Sequence, residues 1–362
     1  MPGITQPGDI QFEMYIEKIG EYGLIRRIQS KFPAENQSIV CGIGDDAAVI
    51  NPSAGKLLLL STDTLREDIH FRKRYCTFYD IGWKAVAVSI SDIAAMGGIP
   101  KYLLFSIAVP SRTSVKDLDS LLNGVADITT RYNVSLVGGN VSRAKGGVSI
   151  DTTVIGELAK GKGVFRSGAS VGDLIYVTGR IGNSAMAFSL LKSSFDIHSR
   201  LYKQNASFIS CHLRPVPRVR EGVILGTHRL ASAMIDISDG LLKDLGHICE
   251  QSKVGANIHN KSVPLPGIPD RLKGRLTKDP VSYALYGGED YELLFTVKRK
   301  DKERLEKICK QEAIDATCIG EIVPENKGIS IVAEDGIEKV LNIEGYDHFR
   351  TKRGKTCLKD YR

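Results

Sequence analysis

A glycine-rich stretch near the middle of the chain, residues 156–172, is the feature that most constrains the fold. It holds five glycines, and strand-like and helix-like patterns alternate on both sides of it. Turn-rich segments of this kind connect folded units. A chain of 362 residues is long enough for two domains, since a domain spans roughly 100–200 residues. We therefore expect an α/β chain, α+β in its mixed parts, with an N-terminal domain over 1–158 and a C-terminal domain over 159–349.

Apolar spacing predicts the elements of each half. Strand-like runs, short and apolar or alternating, occur at 38–41, 47–50, 56–61, 102–109, 134–137, 148–155, 174–178, 233–237 and 291–297. Helical spacing occurs at 80–96, 115–132, 185–191, 240–251 and 302–312, and over 12–32 in two short pieces that meet near Gly20. This alternation of strands and helices is typical of α/β domains.

The composition excludes several classes of protein. The formal net charge is +7, but Lys and Arg are spread along the chain, so we expect no nucleic-acid partner. Their one cluster, 350–362, is expected to be a disordered basic tail. The seven cysteines are widely spaced without a Cys-x-x-Cys pair, which favours reduced thiols and a cytoplasmic location. We expect no membrane association, because no apolar run approaches the ~18 residues of a span and the first residues lack a signal-peptide pattern.

Acidic residues recur beside glycines and at the ends of predicted strands. The four groups are Gly42-Ile-Gly-Asp-Asp-Ala, Ser61-Thr-Asp-Thr, Asp92 inside an apolar helix, and Asp236-Ile-Ser-Asp-Gly. Asp is a poor residue for a helix interior, and a buried carboxylate without a partner costs free energy. Simpler interpretations stay open for each group: a turn residue at Asp45 or Asp46, a turn residue at Asp63, an exposed side chain at Asp92, and a helix N-cap at Ser238 or Asp239.

Such a set of carboxylates suits a site for Mg²⁺ and a nucleotide. Mg²⁺ takes oxygen ligands, usually one or two carboxylates together with substrate phosphates, and phosphoryl transfer needs charge neutralisation and positioning. The first group also fits the dinucleotide pattern G-x-G-x-x-A, but a strand follows it instead of a helix, and its two carboxylates would repel a phosphate. The sequence has neither G-x-x-x-x-G-K-[ST] nor the protein-kinase motifs, which excludes P-loop and protein-kinase-like enzymes.

Six motifs occur in a fixed order along the chain. They are Gly42-Ile-Gly-Asp-Asp-Ala, Ser61-Thr-Asp-Thr, Ser91-Asp-Ile-Ala-Ala-Met-Gly, Ile235-Asp-Ile-Ser-Asp-Gly-Leu, Gly287-Gly-Glu-Asp-Tyr-Glu-Leu and Gly345-Tyr-Asp-His-Phe. In their order and content they resemble the thiamine-monophosphate kinases. The resemblance extends from about residue 9 to 349 and covers nearly the whole chain.

The resemblance implies a fold, a reaction and an assembly. The fold is a two-domain fold like that of aminoimidazole ribonucleotide synthetase, in which N-terminal strands form a barrel across a homodimer. The reaction transfers the γ-phosphate of ATP, the co-substrate, to thiamine monophosphate and yields thiamine diphosphate and ADP. Several Mg²⁺ ions assist it. No phosphoenzyme is implied, so no side chain is expected to act as a covalent catalyst.

The resemblance also assigns roles to individual residues. The implied metal ligands are Asp46, Ser61, Thr62, Asp63, Asp92, Asn140, Asp236 and Asp239. The implied nucleotide contacts are Gly139, Asn140, Arg166 and Ser238, and an Arg suits phosphate because its fork is planar. The implied contacts to thiamine monophosphate are His70, Glu289 and Tyr346. For these three, a surface histidine, a turn residue and a packing residue remain the alternatives.

One position departs from the family pattern. Many members have Gly-Gly-Asp-Thr-Thr where this chain has Gly138-Gly-Asn-Val-Ser. Asn140 offers a neutral carbonyl oxygen and an amide donor, not a carboxylate. We expect a turn at 138–140, where the glycines let the backbone approach a ligand closely.

Two other functions remain open at this stage. One is another ATP-using enzyme of the same superfamily, similar to aminoimidazole ribonucleotide synthetase. The Gly287-Gly-Glu-Asp-Tyr-Glu-Leu motif disfavours it, and no reactive Cys segment precedes Gly42 as a selenophosphate synthetase would need. The other is a non-catalytic regulator that binds ATP or thiamine on the same scaffold, for which Asn140 is the one supporting feature.

Overall fold

The structure is a computed structural model that describes residues 14–33, 36–44, 46–194, 197–333 and 337–341. Within these ranges the helices are α1 Ile16–Lys31, α2 Phe78–Ala95, α3 Val115–Tyr132, α4 Asn183–Ser194, α5 Arg200–Gln204, α6 Ala206–Leu213, α7 Val219–Thr227, α8 Leu241–Ser252, α9 Asp270–Lys273, α10 Pro280–Tyr286 and α11 Lys302–Gln311. Tyr346 and the basic tail 350–362 lie outside the described residues.

The strands of the described residues form three sheets. They are β1 Ile39–Cys41, β2 Val49–Ile50, β3 Lys56–Arg66, β4 Ile99–Val109, β5 Ser135–Arg143, β6 Ser149–Ala159, β7 Leu174–Thr178, β8 Ala233–Asp236, β9 Val254–His259, β10 Leu293–Val297, β11 Ala316–Pro324, β12 Ile329–Val332 and β13 Glu338–Val340. β1 and β2 pair with each other, a four-stranded sheet has the order β3-β6-β4-β5, and a seven-stranded sheet has the order β13-β12-β9-β11-β7-β10-β8.

Helix α2 packs between the two larger sheets and begins at a capping box. The Thr77 side chain accepts from the Asp80 N–H, and the Asp80 carboxylate accepts from the Thr77 N–H at 3.0 Å; such a box satisfies donors that a helix start leaves free. α2 and α3 approach closely at Gly82, where a Cβ would stand only 2.0 Å from the Leu121 carbonyl oxygen. The predicted helix over 80–96 is therefore confirmed.

The four-stranded sheet has one covered face and one open face. Along β3, Ser61, Asp63 and Leu65 are at least half-buried, whereas the alternate residues are exposed, which is the period of two that a strand imposes. Leu58 and Leu60 on the open face are 45% and 69% exposed. We call this side the outward face; the sheet does not close into a barrel within the described residues, since β3 and β5 are its edges.

The seven-stranded sheet forms the core of the C-terminal half. Its apolar residues Ile175, Ile235 and Leu294 pack with α8 residues such as Leu245 in one buried cluster. β8 lies at the edge of this sheet, and α2 contacts it. This contact brings the carboxyl end of β8 next to α2 of the N-terminal half. No helix of the described residues has the length and apolar character that a membrane crossing requires.

Candidate functional site

The centre of the candidate site is the pair of elements β3 and α2. Ser61 and Asp63 lie on the face of β3 that is turned toward α2. The Ser61 hydroxyl donates to the Asp92 carboxylate, and Ser89 Oγ donates to Asp63 Oδ2 at 2.8 Å. A strand and a helix of the N-terminal half thus hold two predicted carboxylates side by side.

The third carboxylate comes from the C-terminal half. Asp236 is the last residue of β8 and is 2% exposed. Its Oδ2 accepts a 2.7 Å hydrogen bond from Ser91 Oγ on α2. The structure therefore places Asp63, Asp92 and Asp236 close enough for their charges to interact.

Burial and mutual repulsion make these carboxylates hard to ionise together. Burial, followed by the charge of Asp92, raises the pKa of Asp63 to about 6 and that of Asp236 to about 7. Burial also raises the pKa of Asp92. The exposed side chain of Arg166 acts in the opposite direction on the pKa of both Asp92 and Asp236. A site in which several carboxylates lie close together, with little positive charge nearby, is suited to bind a cation.

The loop that follows β8 is held by an acid that the sequence did not single out. Asp244 on α8 is 2% exposed, and its Oδ2 accepts from the N–H groups of Ser238, Asp239 and Gly240 at 3.1 Å each. Burial raises the pKa of Asp244 well above its usual range. The Asp244 side chain therefore fixes the backbone of residues 238–240, which contains the predicted ligand Asp239 and follows the predicted ligand Asp236.

The helix N-cap that was the alternative interpretation of Ser238 or Asp239 is not formed. The residue before α8 is Gly240, with φ of +120°, and no side chain caps this helix. The Asp239 carboxylate instead pairs with Lys243 one turn further along. Capping is therefore excluded as the explanation of these two residues.

The proposed substrate contact Glu289 has two partners inside the protein. Its Oε1 lies 2.8 Å from Nζ of the buried Lys84, and its Oε2 lies 3.3 Å from Nδ1 of the buried His212. Despite burial, the charge of Lys84 lowers the pKa of Glu289, and His70 contributes in the same direction. Burial lowers the pKa of His212 to about 3. His70 itself accepts a 3.0 Å hydrogen bond at Nδ1 from the Arg66 N–H.

Other predicted residues lie apart from the three carboxylates. Asn140 pairs with Ser106 of β4 and, like Thr62, points to the outward face. Thr62 Oγ1 donates to the Thr152 carbonyl oxygen at 3.1 Å. Asp46 is exposed between β1 and β2.

The expected turn at 138–140 is wrong, because β5 continues through it to Arg143. Gly139 has a structural reason to be glycine. A Cβ there would stand 1.9 Å from the Phe105 carbonyl oxygen, so the absence of a side chain at Gly139 allows β5 to pack closely against β4.

Sequence reasoning missed several residues of the site. They are Lys84, Ser89, Ser91, His212 and Asp244, all of them buried. The first three are polar residues inside the otherwise apolar run of α2, and that pattern was a usable signal. His212 gave no local signal, because its partners Ser184 and Glu289 are distant in sequence. Asp244 lies only four to six residues after its three N–H partners, so an acid in the first turn after Asp239-Gly240 was a usable local signal.

The described residues hold no group of three or more His, Cys, Asp or Glu side chains arranged to bind a metal ion. Mg²⁺ is usually held by one or two carboxylates plus phosphate oxygens and water. The donor set therefore fits Mg²⁺ shared with a bound phosphate better than an enclosed structural metal.

Comparisons with known proteins match both halves of the chain. The family AIR synthase related protein, N-terminal domain, matches residues 44–158, and AIR synthase related protein, C-terminal domain, matches residues 170–333. These matches agree with the two-domain α/β architecture.

Curated proteins that are similar to this chain over nearly its full length share one name. Thiamine-monophosphate kinase of Buchnera aphidicola subsp. Acyrthosiphon pisum (strain APS) is 37% identical over 92% of this chain and 99% of the relative. The enzyme of that name from Bacillus subtilis (strain 168) is 36% identical over 91% of this chain and 99% of the relative.

Two solved structures are similar over most of their length. The crystal structure of thiamine-monophosphate kinase from Stenotrophomonas maltophilia K279a is 34% identical, with a TM-score of 0.75, over 86% of this chain and 96% of that chain. AaThiL complexed with AMPPCP and TMP is 33% identical, with a TM-score of 0.70, over 94% of this chain and 100% of that chain. At this identity and coverage, the chain belongs to the thiamine-monophosphate kinase family of enzymes.

Proposed function

We propose that this protein transfers the γ-phosphate of ATP directly to thiamine monophosphate, in the presence of Mg²⁺, and releases thiamine diphosphate and ADP. The observation that carries the proposal is the meeting of Asp63, Asp92 and Asp236 beside α2, with contributions from both halves of the chain. A family member complexed with AMPPCP and TMP supports the choice of the two substrates, because AMPPCP is an analogue of ATP.

The carboxylates fit a divalent cation that accompanies the nucleotide. Their raised pKa values reflect repulsion that a cation would relieve. Asp63, Asp92 and Asp236 would hold Mg²⁺, helped by Ser61, with further positions at Asp46 and Asp239. When bound, Mg²⁺ supplies charge neutralisation on the transferring phosphate.

The remaining residues bind and orient the substrates. The charge of Arg166 acts on Asp92 and Asp236, and Ser238 follows Asp236 by two residues in the chain. Both are proposed to contact the nucleotide phosphates. His70 and Glu289 are proposed to contact thiamine monophosphate, together with Tyr346. No side chain is required to form a covalent intermediate, since phosphoryl transfer depends mainly on positioning and electrostatics.

A homodimer is part of the proposal. The outward face exposes Leu58 and Leu60, and an exposed apolar sheet face with open edges favours pairing with another copy. The strands of two such sheets are proposed to form the barrel that the family implies. Thr62 and Asn140 point to this face, so their proposed ligand roles depend on the dimer. A monomer measured by light scattering at micromolar concentration would contradict this part.

The domain boundary and the location also stay proposals. We place the boundary at 158/159, at the end of β6, with the basic tail 350–362 beyond the second domain. A cytoplasmic location is supported by five cysteines that carry free thiols: Cys76, Cys211, Cys249, Cys309 and Cys318.

A coupled assay of ADP release tests the proposed reaction. With ATP and Mg²⁺ present, adding thiamine monophosphate should raise the rate of ADP release well above the rate without it. Equal rates would contradict the assignment. An enzyme similar to aminoimidazole ribonucleotide synthetase or a non-catalytic regulator would give that result.

A further inference from the structure

We infer that Lys84 is a positioning residue that holds Glu289 in place for the acceptor substrate, an inference that rests on the proposed function. Lys84 lies on α2 and is 3% exposed. Its Nζ is 2.8 Å from Oε1 of Glu289, on the loop that precedes β10. A buried ammonium group is costly unless it is paired, and Glu289 provides the pairing charge.

The backbone and both carboxylate oxygens of Glu289 are held from the protein side. Glu289 has φ of +64°, a conformation that few residues other than glycine adopt. Its N–H donates to the Ser238 carbonyl oxygen at 2.8 Å. His212 approaches its Oε2, and His212 Nδ1 lies 2.9 Å from Ser184 Oγ. Lys84 thus holds Oε1 through an ion pair, and His212, whose low pKa keeps it neutral, contacts Oε2.

This arrangement leaves one edge of the carboxylate for a ligand. The Glu289 side chain is 29% exposed, whereas Lys84 and His212 are 3% and 2% exposed. An ionised carboxylate accepts about four hydrogen bonds, so capacity remains after its two partners are counted. The ligand group that fits is an N–H donor, such as the amino group on the pyrimidine ring of thiamine monophosphate. Lys84 therefore acts on the substrate only through Glu289.

The alternative is that Lys84 contributes to stability alone. The pair Arg218–Glu292 offers a matched control, because it is also partly buried, at 30% and 9% exposed, and joins the residue before α7 to the residue before β10. Arg218 Nε lies 2.6 Å from Glu292 Oε2. Lys84→Met and Arg218→Met each remove one partner of such a pair, and both should lower the melting temperature.

The test is steady-state kinetics of the full chain, with KM measured separately for thiamine monophosphate and ATP. We expect Lys84→Met to raise the KM for thiamine monophosphate about tenfold or more, equivalent to about 1.4 kcal/mol, with the KM for ATP unchanged. Arg218→Met should leave both unchanged. A Lys84→Met variant that resembles Arg218→Met in losing only thermal stability would overturn the inference.

A double variant keeps the test valid where Lys84→Met folds poorly. Lys84→Met combined with Glu289→Gln leaves no unpaired charge in this pair, and its KM for thiamine monophosphate should equal that of Glu289→Gln alone. A KM well above that of Glu289→Gln would show that Lys84 acts independently of Glu289, and would overturn the inference. Failure of the proposed function gives a different result, in which the unchanged protein itself shows no ADP release with thiamine monophosphate.

Discussion

Ser91 on α2 donates a 2.7 Å hydrogen bond to the buried carboxylate of Asp236 at the end of β8. The bond links the helix that packs on the four-stranded sheet to an edge strand of the seven-stranded sheet. The neighbouring Asp92 accepts from Ser61, and Ser89 of α2 donates to Asp63. One helix thereby sets the separation of three carboxylates, which is why we regard α2 as the organising element of the site.

Replacing any one of these carboxylates by its amide should abolish most activity without unfolding the protein. We expect Asp63→Asn, Asp92→Asn and Asp236→Asn each to lower kcat about 100-fold or more, as loss of a charge-stabilising group does. The free energy of unfolding of the metal-free protein at pH 8 should stay equal or rise, by roughly 1–3 kcal/mol for Asp236→Asn. A variant that loses stability but keeps its kcat would show a structural residue instead.

The stability of the metal-free protein should fall as the pH rises through the acidic range. Asp63 and Asp236 have pKa values of about 6 and 7 in the folded protein against 3.8 for the ordinary group. The native state therefore binds more protons between about pH 4 and 7, and stability decreases over that window. Mg²⁺ should raise the melting temperature more at pH 8 than at pH 5. An equal rise at both pH values would contradict the proposed site.

Asp244→Asn should weaken nucleotide binding by loosening the 238–240 loop. All three N–H groups point at one oxygen, Oδ2, and the neutral amide oxygen that would replace it is a weaker acceptor than a carboxylate oxygen. We expect a higher KM for ATP and a higher Mg²⁺ concentration at half-maximal rate. Asp173→Asn is the control, since the buried Asp173 accepts from the Ser170 N–H at 3.1 Å in another loop. Equal kinetic effects of the two variants would assign Asp244 a general structural role.

Asn140→Asp tests the position that departs from the family pattern. Where Asn140 ligates Mg²⁺, the added charge should lower the Mg²⁺ concentration at half-maximal rate and leave the KM for ATP at saturating Mg²⁺ unchanged. We expect this result. A raised KM for ATP at saturating Mg²⁺ would instead show that the amide donates to the nucleotide, because a carboxylate only accepts. Superimposable Mg²⁺ titrations with equal KM for ATP would exclude both roles.

The spacing of apolar residues in the sequence predicted the elements whose buried residues recur at the period of a helix or a strand. Helix α2 was predicted over 80–96 and spans Phe78–Ala95, because its apolar spacing and the glycines that end it are visible in sequence. Strand β3 was predicted to end at Ser61 but continues to Arg66. Its second half carries polar residues, and pairing with β6 along the full length keeps it extended.

Long-range contacts account for what the sequence did not predict. Asp63, Asp92 and Asp236 interact electrostatically, and their proximity depends on how α2 packs against β8. Their role as metal ligands stays a prediction. Asn140 was expected in a turn, yet parallel pairing with β4 keeps it in β5 and turns it to the outward face. His212 has partners that are distant in sequence, Ser184 and Glu289, which no local pattern specifies.

Analysis of the reaction products is the decisive test of the proposed phosphoryl transfer to thiamine monophosphate. The purified full chain is incubated with ATP, Mg²⁺ and either thiamine monophosphate or free thiamine, and thiamine diphosphate and ADP are quantified chromatographically. We expect thiamine diphosphate to form from thiamine monophosphate, one mole for each mole of ADP, and free thiamine to give no product. Absence of thiamine diphosphate, or phosphorylation of free thiamine in its place, would contradict the proposal.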